Sequence, residues 1–180
     1  MKNKTILLIS ALLIFSVNCL IGQTKVYSVE ELIENAPKLV GQTVTAKGKA
    51  QHVCAQSGRK IFLLSTDGKK TLRFNAGKEI DKFDKNAIGK TVTITGVVFE
   101  QKVTLENLEK QEVAAKQAEL EKKAEEHCSS EAKADGQDVQ QTPLKRIQVQ
   151  IEKLKAQIAK GGNPYLSYYS VYKVNTYTFE

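Results

Sequence analysis

The chain has 180 residues, 41% of them hydrophobic and 26% charged, with a formal net charge of +7 that is mostly lysine. That balance suits anionic partners such as nucleic acid, phosphorylated lipid or polysaccharide without naming one, and equally suits a solubilising coat. With three cysteines in all, one of them in a removable leader, a mature chain is limited to a single intrachain disulfide.

Residues 1–22 read as a secretory signal. Lys2 and Lys4 give a positive start, Ile6 to Val17 form an apolar run broken only by serines, and cleavage is expected after Gly22. The run is short for a spanning helix, which needs about 20 apolar residues. Cys19 offers lipid modification as another option, although Ser16-Val17-Asn18 departs from the leucine-led, Gly- or Ala-ended pattern of bacterial lipoproteins. The protein is therefore expected to be exported, to the periplasm or cell surface, and membrane-bound only if lipidated at Cys19.

After the leader, Ser28-Val29-Glu30-Glu31 is a capping box that should start a short helix running to about Ala36, with Pro37 as the stop. Val29, Leu32 and Ile33 form its apolar stripe. Residues 41–105 read as strands: Thr43 to Val53 with a bulge or sharp bend at Gly48, then Lys60 to Ser65, an Asp67-Gly68 turn, and Leu72-Arg73-Phe74. A looser stretch from Gly77 to Gly89 should hold one helical turn near Ile80 and Phe83. Thr91 to Phe99 forms another strand and Val103 to Leu105 a short last one. Phe62 and Phe74 are expected to fill the barrel.

An internal echo supports this order. Gly41-Gln42-Thr43-Val44-Thr45 with Gly48 matches Gly89-Lys90-Thr91-Val92-Thr93 with Gly96 in the same register. The period occurs once, so a solenoid is not indicated.

Beyond Leu105 the composition shifts. Residues 105–127 are rich in Ala, Glu, Lys and Gln and contain no proline or glycine, which favours helix. Leu108, Ala115, Ala118 and Leu120 are its candidate contacts. Residues 129–142 read as a mobile link. A second helix, capped by Thr142 and opened by Pro143, carries Leu144, Ile147, Ile151, Leu154 and Ile158 in one stripe and stops at Gly161-Gly162. That stripe wants a partner, either the preceding helix or a second copy through 144–158. Tyr165 to Phe179, with five of the six tyrosines, reads as a strand added to the barrel edge or pairing with another copy, its rings packing structurally or forming a stacking platform.

The two histidines each sit beside a cysteine: His52-Val53-Cys54 and His127-Cys128. Residues i and i+2 of a strand share a face, so His52 and Cys54 make a two-point grip for a borderline-soft metal. Together with His127 and Cys128 the set is two nitrogens and two sulfurs, which suits tetrahedral zinc or copper(I). The spacing is not that of a zinc finger. The same residues allow a thiol-redox site, or a plain Cys54–Cys128 disulfide that closes a loop of about 75 residues and contributes roughly 4 kcal/mol. No Gly-x-Ser-x-Gly elbow or phosphate loop appears, and no histidine is free of a cysteine neighbour, so an enzyme is not expected.

Two Gly-x-x-Val-x-x-x-Gly strands bracketing a hairpin, over roughly residues 39–106, resemble the five-stranded OB-fold barrel. The His52-Val53-Cys54 run followed by Gly58-Arg59-Lys60-Ile61-Phe62-Leu63 is similar to a stretch in small exported bacterial (tRNA-anticodon-binding-like) members of that superfamily. The resemblance implies a mainly β domain at 23–106 with an N-terminal capping helix, then a helical hairpin and strand at 107–180. It carries no assigned activity. The expected function is a non-enzymatic binding module for a metal ion or other small ligand, with an envelope protein or a second copy as further partners. The alternative is a nucleic-acid, polyanion or oligosaccharide surface using Lys47, Lys49, Arg59, Lys60 and Arg73, helped by Lys69 and Lys70.

Overall fold

The computed structural model describes residues 25–120, 133–134 and 141–180. The expected leader therefore lies outside the described residues, as does most of the expected link. A short strand β1 (Val26–Ser28) leads directly into α1 (Val29–Leu39). The capping box forms as the sequence predicts, with Ser28 Oγ accepting from the Glu31 amide and the Glu31 carboxylate accepting from the Ser28 amide. The helix continues through Pro37 to Leu39 because Ala36 and Leu39 both dock on the core.

Five strands then close a mixed barrel: β2 (Thr43–Val53), β3 (Lys60–Leu64), β4 (Thr71–Ala76), β5 (Thr91–Thr104) and β6 (Tyr165–Phe179). Their order around the barrel is β2-β3-β4-β6-β5, and β5 pairs back with β2. Every neighbouring pair is antiparallel except β4 with β6, and β1 adds in parallel to β2. Val44, Ala46, Ile61, Leu63, Leu72, Phe74, Val92, Ile94, Val98, Val171 and Val174 fill the interior, sealed by Val29, Leu32 and Leu39 of α1.

The fifth stave is a correction to the sequence reading. Val103–Leu105 is not a separate short strand, since β5 runs unbroken through the polar stretch Glu100-Gln101-Lys102 to Thr104. The barrel is closed by the tyrosine-rich tail, inserted between β4 and β5, so it needs residues well beyond 106. Between Gly77 and Gly89 the one helical turn is a 3-10 turn at Lys85–Ala87, capped by Asp84, and not at Ile80 and Phe83.

Past Val98, β5 pairs only with β6, so the two form a ribbon that outruns the barrel. At its tip Thr104 caps α2 (Leu105–Leu120), its Oγ1 accepting from the Asn107 amide. Thr142 caps α3 (Pro143–Ala159), and Gly161 in the left-handed region ends it. Leu108 of α2 packs with Ile147, Ile151 and Leu154 of α3 and with Val103 and Leu166 of the ribbon. The middle of the α3 stripe, Ile147, Ile151 and Leu154, thus has its partner within the chain, whereas Ile158 and Leu120 stay exposed.

The echoed glycines have two separate reasons. Gly41 and Gly89 adopt φ of 80° and 84° at the turns into β2 and β5, where other residues are strained. Gly48 and Gly96 instead leave room: a Cβ on Gly48 would lie 2.6 Å from Val29 Cγ2, and one on Gly96 2.7 Å from Val171 Cγ1 and 2.8 Å from the Tyr172 carbonyl. Because backbone cannot yield like a flexible side chain, Gly96→Ala is expected to cost about 2 kcal/mol in urea denaturation. A loss below about 0.5 kcal/mol would show that β6 does not approach β5 this closely.

The ribbon is also clamped electrostatically. Glu100 Oε1 accepts from Ser167 Oγ at 2.7 Å and from the Tyr169 hydroxyl at 3.3 Å, and Lys102 Nζ lies 3.6 Å from Oε2. The Ser167 hydroxyl first, then the Lys102 charge, hold the carboxyl below its ordinary range, with partial desolvation opposing them. The ionised form is therefore favoured by folding: its contribution is complete above about pH 4.3 and is lost as pH falls through the lower folded value. Glu100→Gln should accordingly show a shallower fall in urea midpoint than the parent on going from about pH 5 to about pH 3.

Candidate functional site

In the first part of β2 the inward residues are Val44, Ala46 and Ala50, which by simple alternation would send His52 and Cys54 inward too. A register shift between Ala50 and His52 prevents this. Ala50 pairs with Leu63 and His52 with Phe62, leaving Gln51 as the extra residue of a bulge. Val53 turns into the core beside Ile61, and His52 turns out. Cys54 extends the ladder by donating its amide to the Lys60 carbonyl, which puts it on the outward side with His52. The bulge expected at Gly48 thus lies further along the strand, and it decides which way the imidazole and thiol face.

The outward wall of β2-β3-β4 is built from two rungs. One runs His52, Phe62, Arg73; the other runs Cys54, Lys60, Asn75. Phe62 is a correction: it is completely buried, yet lies on this wall and outside the core cluster that holds its neighbours Ile61 and Leu63. Its ring centroid is 5.7 Å from that of His52, at a tilt of 43°. Cys54 carries a free thiol and is only 2% exposed. Phe62 is the residue of this wall that the sequence does not announce, because Ile61-Phe62-Leu63-Leu64 has no polar alternation to reveal its faces.

His127 and Cys128 lie outside the described residues. Nearby, Lys133 and Ala134 are described, and the Ala134 carbonyl accepts from Thr71 Oγ1 on the outward side of β4. Among the described residues no group of three or more His, Cys, Asp or Glu side chains is arranged to hold a metal. His52 and Cys54 therefore supply two donors on this wall, with no third His, Cys, Asp or Glu arranged beside them among the described residues.

The basic residues divide. Lys60 and Arg73 share the wall with His52 and Cys54. Lys47 is paired with Glu180 at 3.0 Å, and Lys49 is exposed on β2. Arg59 is committed to the backbone, its guanidinium donating to the carbonyls of Ile80 (3.1 Å), Asp81 (2.8 Å), Ala76 (3.3 Å) and Gly77 (2.8 Å). These bonds pin the stretch after β4 in non-helical form, which explains why no helical turn forms at Ile80. The chain matches no family model, and no curated protein matches it.

Because charged hydrogen bonds to carbonyls contribute more than neutral ones, Arg59→Ala should lower stability by about 2 kcal/mol, and Arg59→Lys should recover only part of that. Unchanged stability in thermal denaturation would return Arg59 to the pool of surface cations.

Proposed function

We propose that this chain is an exported, non-enzymatic binding module on an OB-type barrel, and that His52, Cys54, His127 and Cys128 hold a zinc or copper(I) ion. The strand order, with β4 and β6 as the one parallel pair of the barrel, supports the OB reading. The sequence of residues 1–22 supports export, and no helix among the described residues is long and apolar enough to cross a membrane. Lipid attachment at Cys19 remains the route to a membrane.

One observation carries the metal reading: the bulge at Gln51 turns an imidazole and a free thiol onto the same wall on which Ala134 rests. Cys128 precedes Ala134 by six residues, a tether that reaches up to about 20 Å when extended. His127 and Cys128 are thus within chain reach of the wall. A buried thiol is poorly placed as an open nucleophile, which favours binding over catalysis. The polyanion alternative is weakened because Arg59 is engaged with four carbonyls and Phe62 has no exposed ring for stacking.

The reduced chain starting at Gln23 should take about one equivalent of zinc or copper(I) in a chelator competition, and Cys54→Ser or Cys128→Ser should each lower the affinity at least about tenfold. Full affinity in Cys128→Ser would break the four-donor set. A quantitative Cys54–Cys128 bridge in protein taken from its own envelope would replace the metal by a structural disulfide, and binding to single strands that weakens steeply with salt would favour the polyanion reading.

A further inference from the structure

Among the described residues, three aromatic side chains are exposed, and all three lie together. Phe99 is 45% exposed, Tyr168 42% and Tyr172 36%. Val98 and Val171 pair and point inward, so the neighbouring rungs point out: Val97 with Tyr172, Phe99 with Ser170, and Gln101 with Tyr168. The next outward rung, Val103 with Leu166, disappears beneath α2 and α3. The result is a shelf on the outside of the ribbon that ends against the helical hairpin.

The other tail tyrosines have structural work. Tyr177 packs edge-on against Phe83 and accepts from the Asp84 amide, Tyr169 lies against the core and bonds Glu100, and Tyr165 receives Lys102 over its ring. Among the described residues, neither the Tyr168 nor the Tyr172 hydroxyl has a hydrogen-bond partner. The rings of Phe99 and Tyr172 are 4.9 Å apart at centroid, and Ser170 is only 3% exposed although its rung faces outward, as expected where the surrounding rings lean over it.

We propose that Phe99, Tyr168 and Tyr172 form a stacking platform for the pyranose rings of a neutral oligosaccharide, with Gln101 as the hydrogen-bonding neighbour. The chemistry of the shelf selects this ligand. Its outward rungs are Val, Phe, Gln, Tyr, Ser and Tyr, without charge, whereas single-stranded nucleic acid needs cations beside its stacking rings. Lys102 sits on the opposite face, engaged with Glu100 and Tyr165. A second copy of the chain is too large an occupant. Three rings of about 200 Å² each, some two-fifths exposed, offer roughly 250 Å², against about 800 Å² per partner in a stable interface. Flat apolar rings with hydroxyl and amide groups at their edges match the apolar faces and equatorial hydroxyls of a sugar.

The test is titration of the chain with cellohexaose, chitohexaose and maltohexaose, followed by calorimetry and by tyrosine emission, which no tryptophan obscures. At least one sugar should bind saturably and independently of salt. Phe99→Ala and Tyr172→Ala should each weaken it about tenfold, while Tyr172→Phe keeps most of the affinity. Circular dichroism of each variant separates loss of the platform from loss of the fold. The proposal is overturned if none of the three sugars binds at millimolar concentration, or if binding is indifferent to Phe99→Ala and Tyr172→Ala. It is also overturned if the shelf binds oligo-dT with a salt-dependent affinity, or mediates self-association that Tyr172→Ala abolishes. Chelator and Cys54→Ser should leave sugar binding unchanged, so this proposal and the metal reading stand or fall separately.

Discussion

Closure of the barrel depends on β6 lying between β4 and β5, parallel to the first and antiparallel to the second. The strands β5 and β6 are separated by residues 105–164, so their pairing is long-range. Closing a loop of that length costs on the order of 4 kcal/mol before any contact rewards it. The helices offset this locally. Leu108, Ile151 and Leu154 pack on Val103 and Leu166, which are themselves an opposed pair near the tip of the ribbon. The packing of α2 and α3 on this pair therefore holds the two strand ends together in register. In this view α2 and α3 act as the clasp of the fold.

The same arrangement explains which parts of the architecture are legible in the sequence. Ser28 with Glu31, Thr142 with Pro143, and Gly161 after Ala159 announce helix ends because a cap is a local arrangement among neighbouring residues. Gly41 and Gly89 announce turns for the same reason. The stave role of 165–179 is not legible: alternation identifies a strand but says nothing about its neighbours, and the parallel partner β4 lies far back in the chain. The polar stretch at 100–102 reads as an interruption because a ribbon outside the barrel has no buried face to impose a pattern there. Pro37 reads as a stop, yet the core contact of Leu39 carries the helix past it.

At the candidate site the sequence is informative about proximity and silent about direction. The i, i+2 spacing puts His52 and Cys54 on one face, as they are, but which face depends on Gln51, a bulge that neither glycine nor proline marks. One inserted residue reverses every side chain beyond it. The interior placement expected for Phe62 fails on the same ground, since an apolar run reads alike from either side. Arg59 shows a different limit. As a sequence symbol it is one more cation, but its planar fork fits backbone carbonyls from two successive loop segments, which lysine cannot match.

The barrel interior is committed to apolar packing, and on its outward rungs three walls differ in character. Where β2 pairs with β5 the outward residues are Thr43, Thr45, Lys47 and Lys49 opposite Val97, Thr95, Thr93 and Thr91. Threonine and lysine there make a solvated surface, knit by the 2.9 Å contact of Thr45 Oγ1 with Thr95 Oγ1. Where β2, β3 and β4 pair, the Gln51 bulge turns imidazole and thiol outward beside the buried phenyl ring of Phe62. Where β5 outruns the barrel with β6, the wall becomes aromatic and uncharged. Alternation alone produces the first wall, a bulge the second, and an overlong ladder the third. Two departures from the regular pattern, the Gln51 bulge and the overlong ladder, coincide with places where the outer surface departs from a threonine-lysine coat. That coincidence is the physical reason to look for binding there.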